Sequence, residues 1–172
     1  VTPSSVASSM PTKRMKTARA TTPEPIATVE VDIQRATALR GLPGNAAIRR
    51  WVECAVAGRR AQASLTVRIV DAEEGAALNE RWRGRPGPTN VLSFPVSGLE
   101  AVAPALLGDI VLCAPVLKAE AVAQRKTLTA HCAHLVVHGT LHLLGYDHER
   151  PRAAAAMERL ETELLAELEF PD

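Results

Sequence analysis

The stretch from His131 to His148 reads HCAHLVVHGTLHLLGYDH and holds all 5 histidines of the chain. Within it, His138, His142, Gly145 and His148 form the pattern H-x-x-x-H-x-x-G-x-x-H. Successive residues of an α-helix turn by ~100°, so His138 and His142 sit ~40° apart and ~6 Å along one face. Two imidazoles so placed can share one metal ion. Gly145 suits the end of that helix, because glycine tolerates the left-handed conformation of a C-terminus. A turn there returns His148 to the same ion from another side. Three neutral histidines and one open position are the ligand set of a catalytic zinc site. Three imidazoles would also accept nickel or copper, so zinc is the expectation rather than a necessity.

The spacing matches the metzincin peptidase pattern except directly after the first histidine, where that pattern carries a glutamate general base. Here that position is Gly139. The expectation is therefore a metal site used for chemistry other than peptide hydrolysis. The surrounding helix, from about Thr127 to Leu144, is apolar on several faces through Leu135, Val136, Val137, Leu141, Leu143 and Leu144. It reads as a buried central helix packed on a sheet, with two ligands on a rigid element and only His148 on a loop.

Working outward, Pro151 to about Glu169 predicts a final helix with Met157, Leu160, Leu164 and Leu168 on one stripe. Upstream, Ala114 to Gln124 reads as a helix and Leu106 to Leu112 as a strand. Asn90 to Phe94 reads as another strand, entered from an irregular loop through Gly84, Arg85, Pro86, Gly87 and Pro88. Ser64 to Val70 and Thr28 to Ile33 alternate as strands. Asn45 is a candidate cap for a helix reaching about Ala61, with Ile48, Val52, Ala55 and Val56 inward and Arg49, Arg50, Arg59 and Arg60 outward. Asp71 with Glu74 suggests a capping box for a short helix ending near Trp82. Four strands and about five helices give an α+β fold, a four-stranded mixed sheet with the histidine helix at its centre.

At 172 residues the chain suits one domain, expected over 26–172. Residues 1–25 are Ser-, Thr-, Ala- and Pro-rich, with Lys13, Arg14, Lys16 and Arg19 and no acid before Glu24. They read as a disordered tail. The composition also suits an organellar transit peptide, and Met10 or Met15 is an alternative start. Hydrophobic residues are 47% and charged residues 23%, an ordinary globular balance. The net charge of +1 does not by itself indicate a nucleic-acid binder, so such a role needs a local patch. Cys54, Cys113 and Cys132 are odd in number, which fits a reducing compartment, the cytoplasm. Cys132 reads as a small buried hydrophobe rather than a ligand. No apolar run approaches the roughly 20 residues of a membrane span.

The segment HLVVHGTLHLLGYDH at residues 134–148 resembles the YbeY family, bacterial rRNA maturation factors and single-strand endoribonucleases. Two further blocks resemble it in order and character: Leu78 and Asn79 through Arg83 followed by PTNVLSFP at 88–95, and LGDIVLC at 107–113. The likeness runs from about residue 28 to about residue 168. It implies an α+β fold, one zinc ion on His138, His142 and His148, and hydrolysis of RNA. It implies a role in small-subunit rRNA 3′-end maturation and ribosome quality control, with rRNA, the small ribosomal subunit and its proteins as partners. Carried over by position, the functional arginine is Arg83. Where the family has a Lys-Asp pair shortly after it, this chain has Arg85 and Pro86.

Chemically, a zinc ion with an open position lowers the pKa of bound water toward ~7 and polarises a phosphoryl oxygen. A fixed guanidinium such as that of Arg83 offers forked donors to the charge that phosphodiester cleavage develops. With Gly139 in place, the proton acceptor comes from elsewhere. His134, one turn before His138, can accept a proton, contact phosphate or orient a ligand. Asp147 can fix an imidazole tautomer or serve as a turn residue. The RNA 2′-hydroxyl is a further candidate nucleophile. The competing expectations are an assembly factor with a structural zinc that docks on the small subunit, and a zinc hydrolase of another substrate. Aromatics at 3% argue against a base-stacking platform, leaving RNA contact to arginine and backbone amides.

Overall fold

The computed structural model describes residues 27–170, in the order β1 (Thr28–Ala36), α1 (Asn45–Val56), β2 (Gln62–Val70), α2 (Ala72–Arg83), β3 (Val91–Pro95), β4 (Leu106–Cys113), α3 (Ala114–Ala123), α4 (Leu128–Leu143) and α5 (Pro151–Glu167). The tail expected at residues 1–25 lies outside the described residues. The strands form one sheet ordered β1-β2-β4-β3. β1 and β4 both run parallel to β2, and β3 runs antiparallel to β4. The fold is the expected α+β arrangement with a mixed sheet.

Alternation in β2 sets the two sides of the sheet. Ala63, Leu65, Val67 and Ile69 are buried in the main core, while Ser64, Thr66 and Arg68 face the other way. α1 adds Ile48, Val52, Ala55 and Val56 to that core as its spacing predicts, and Trp51 with them. Each such fully buried aliphatic side chain stabilises the fold by about 1.5–3 kcal/mol. α4 packs against α1, α3, α5, β3 and β4, which explains why it is apolar on several faces. Its N-terminus is capped by Thr127, whose hydroxyl accepts from the Ala130 N–H at 3.1 Å.

Three local expectations are corrected. α1 stops at Val56 rather than near Ala61, because Gly58 turns the chain in a left-handed conformation and Arg59 folds back to the Ala55 and Ala57 carbonyls. Gly44, not Asn45, occupies the N-cap, and the Asn45 side chain accepts from Arg35 instead. Asp71 stands at the N-cap of α2 without capping it. Its carboxylate takes the Thr37 hydroxyl, and Glu74 holds Arg68 in a forked ion pair at 2.7 and 3.0 Å. At both N-termini a partner from another element claims the side chain expected to cap, which sequence spacing alone does not reveal.

The second face of the sheet carries a smaller cluster, Val70, Leu92, Val111 and Cys113, beneath Leu78 of α2 and Phe94 of β3. Its β3–β4 ladder depends on Gly108. This residue adopts φ +136, and a Cβ there would lie 2.1 Å from the Phe94 carbonyl oxygen. Only glycine lets Pro95 pair opposite it. That pairing holds β3 alongside α4, where the site forms.

Candidate metal centre

His138 and His142 lie one turn apart on α4, and His148 lies on the loop that follows. The structure brings all three together. His138 Nε2 is 3.1 Å from His142 Nε2, and His148 Nδ1 is 2.9 Å from the same His142 atom. A tetrahedral ion with bonds near 2.1 Å spaces its ligand nitrogens by roughly 3.4 Å, so a small outward adjustment of the rings admits one. The three side chains can hold a metal ion.

The return of His148 depends on how α4 ends. Gly145 takes φ +95. Its N–H donates to the His142 carbonyl and the Tyr146 N–H donates to the Leu141 carbonyl, each at 3.0 Å, the double bond of a Schellman cap. The same turn places the Tyr146 carbonyl 3.0 Å from His142 Nδ1. An Nδ1–H donated there leaves the Nε2 lone pair facing the centre. Burial lowers the His142 pKa, as do the neighbouring His138 and His148, and the bond to Tyr146 opposes this. The net effect favours the neutral, metal-binding form.

His138 is oriented by a residue that the sequence reading did not single out. Glu161 of α5 accepts from His138 Nδ1 at 2.6 Å and from His134 Nε2 at 3.3 Å, while only 8% exposed. Burial by itself would raise the Glu161 pKa, but hydrogen bonds from His134 and His138 and their charge outweigh it and hold the carboxyl down to about 2. A signal for this residue was present. Glu161 falls on the apolar stripe of α5, four residues after Met157 and three before Leu164, where an acid needs a buried partner.

The other candidates separate clearly. His134 shares the Glu161 carboxylate. Asp147 accepts from the Glu149 N–H at 2.8 Å, the geometry of a turn residue. His131 is buried away from the centre, its Nε2 2.7 Å from Glu120. Glu120 also accepts from Asn90. Cys132 is buried, and burial pushes its thiol pKa up to about 12, in keeping with a core residue and not a ligand. Gly139 faces the sheet rather than the centre. A Cβ there would meet Ile110 at 3.1 Å and Ser93 at 3.2 Å, so the site has little room for the glutamate of the peptidase pattern.

Arg83 ends α2 and is exposed. It lines one cleft of about 410 Å³ together with Trp82, the β3 residues and the three histidines. Among the described residues no carboxylate pairs with it, so its guanidinium is free for an anion. Arg81 and Arg85 do not line this cleft. The loop behind Arg83 is pinned by buried Asn79, whose amide donates to the Gly87 carbonyl at 2.8 Å. Three imidazoles able to hold a metal ion and an unpaired guanidinium thus share one cleft, a constellation suited to binding and polarising a phosphate ester.

Known proteins resemble the chain over most of its length. The family described as Endoribonuclease YbeY matches residues 40–169. Proteins named Endoribonuclease YbeY from Xanthomonas campestris pv. campestris (strain B100) and Stenotrophomonas maltophilia (strain K279a) are each 51% identical over 148 residues, covering 84% of this chain and 92% of theirs. In fold it is similar to the solution structure of TM1509 from Thermotoga maritima, with a TM-score of 0.55 and 24% identity over 81% of this chain and 91% of that one. The chain belongs to the endoribonuclease YbeY family.

Proposed function

We propose that the protein is a zinc-dependent endoribonuclease that cleaves single-stranded RNA during rRNA maturation. The observation that carries this reading is the shared cleft, in which three convergent imidazoles face an unpaired arginine. His138, His142 and His148 hold the metal through one ring nitrogen each. Glu161 and the Tyr146 carbonyl orient the first two from behind. Zinc held there would supply Lewis acidity toward a phosphoryl oxygen and lower the pKa of water at neutral pH. Arg83 binds the scissile phosphate and neutralises the charge that grows on its oxygens. His134, with one face toward Glu161 and partly exposed, is placed to relay a proton near His138.

The substrate in this reading is rRNA, near the 3′ end of the small-subunit RNA. The partners are the small ribosomal subunit and its proteins, and the compartment is the cytoplasm. Among the described residues no helix is long and apolar enough to cross a membrane. The test is cleavage of an rRNA fragment with single-stranded ends, using protein of known metal content beside His138→Ala and Arg83→Glu. Both variants lose cleavage. His138→Ala also loses metal, while Arg83→Glu keeps it. Full activity in metal-free His138→Ala overturns the mechanism. Inactivity of a wild type that carries zinc and binds the small subunit would instead favour an assembly factor with a structural metal.

A further inference from the structure

The chain has 2 tryptophans, and the structure treats them oppositely. Trp51 is 3% exposed in the core, whereas Trp82 is 60% exposed. Leaving an indole in water forgoes a large burial gain, and here the exposed tryptophan stands at the rim of the histidine-lined cleft, where a ligand can recover that gain. Trp82 directly precedes Arg83 in the last turn of α2, and both line the cleft of the three histidines. Trp82 also borders the adjoining groove of about 680 Å³, so it forms the ridge between the two. Its ring is braced edge-to-face by Phe94, with centroids 5.9 Å apart. The exposed Arg81 guanidinium lies 5.2 Å from the ring centroid.

We propose that Trp82 stacks an unpaired base next to the scissile phosphate and makes the site selective for single-stranded RNA. The proposal rests on the ribonuclease reading above and deepens it. A braced aromatic face beside a free guanidinium complements one nucleotide, with the base on the indole and the phosphate on Arg83. Arg81 lies over one face of the ring as a cation–π partner, so the base takes the other face, and the added positive charge favours the same polyanion. In a duplex each base is already stacked and paired, so only an unpaired base can reach the indole without a cost of unstacking. A low aromatic content argued against a stacking platform, but one exposed ring at the right place suffices.

The two environments provide the readout, because buried Trp51 is shielded from ligand and Trp82 is not. The zinc-loaded protein is mixed with a single-stranded oligoribonucleotide, or with its duplex, in a stopped-flow fluorimeter and read before turnover. The single strand quenches tryptophan emission and the duplex does not. Trp82→Ala abolishes the quench, keeps its metal content and melting temperature, and raises KM for the single strand about tenfold, more than it lowers kcat. Trp82→Phe, which keeps a π face, restores most of the affinity. Cleavage and binding of the single strand by Trp82→Ala at the wild-type KM would overturn the stacking role while leaving the ribonuclease reading intact. A zinc-loaded wild type that neither binds nor cleaves either RNA would overturn both.

Discussion

Glu161 is the side chain on which the orientation of the centre turns. A histidine has two ring nitrogens, and a hydrogen bond to one fixes the tautomer and turns the other toward a metal. Glu161, thirteen residues beyond the last of the three histidines, commits His138 Nδ1 from α5. Glu161→Ala removes that acceptor and frees the ring to rotate, so metal affinity falls about 10–100-fold, measured by competition with a chromophoric chelator. Glu161→Gln keeps the shape and one acceptor oxygen and loses less. Equal affinity in all three proteins would show that packing alone holds His138. The convergence of the three histidines was legible in the sequence because the spacing of His138 and His142 is helical and a local glycine turn returns His148. Glu161 was not, because its role depends on α5 docking across α4, and spacing carries no information about which helices meet.

At the scale of elements, the cleft depends on the β3–β4 pair as much as on α4. β3 supplies the wall opposite the histidines, and its ladder closes only because Gly108 allows the Phe94 carbonyl to approach. Gly108→Ala forces backbone against Cβ and leaves no flexible side chain to yield. It costs about 2–4 kcal/mol, read from the urea midpoint. Cleavage falls with it even where the protein remains folded, since β3 shifts against α4. An unchanged midpoint would mean that the sheet relaxes without penalty. The strands themselves were readable from alternation, but the order β1-β2-β4-β3 was not, because a period of two says which face is buried and nothing about neighbours. The capping box at Asp71 and Glu74 misled for a related reason: Thr37, distant in sequence, and Arg68 on the neighbouring strand β2 claim those carboxylates.

For the molecule as a whole, a metal ion at the centre would tie the exposed loop of His148 back onto α4, which the core already holds against α5. His138 and His142 stand on α4, His148 on an exposed loop, and Glu161 links the cluster to α5. The main core runs through β1, β2, β4, α1, α3, α4 and α5 and includes none of the three histidines, so it does not need the ion in order to form. Chelation should therefore lower the melting temperature without unfolding the protein at 25 °C. A ligand that binds only the folded state at a thousand times its Kd stabilises by about 4 kcal/mol, and its removal returns that amount. The loss should also be local. Hydrogen exchange should quicken at residues 145–150 and in the first turns of α5, where α4 hands the chain to His148, while β2 and β4 keep their protection. Global unfolding on chelation would make the ion a structural element of the core. Unchanged exchange at 145–150 would mean that the Gly145 cap, and not the metal, holds His148 in place.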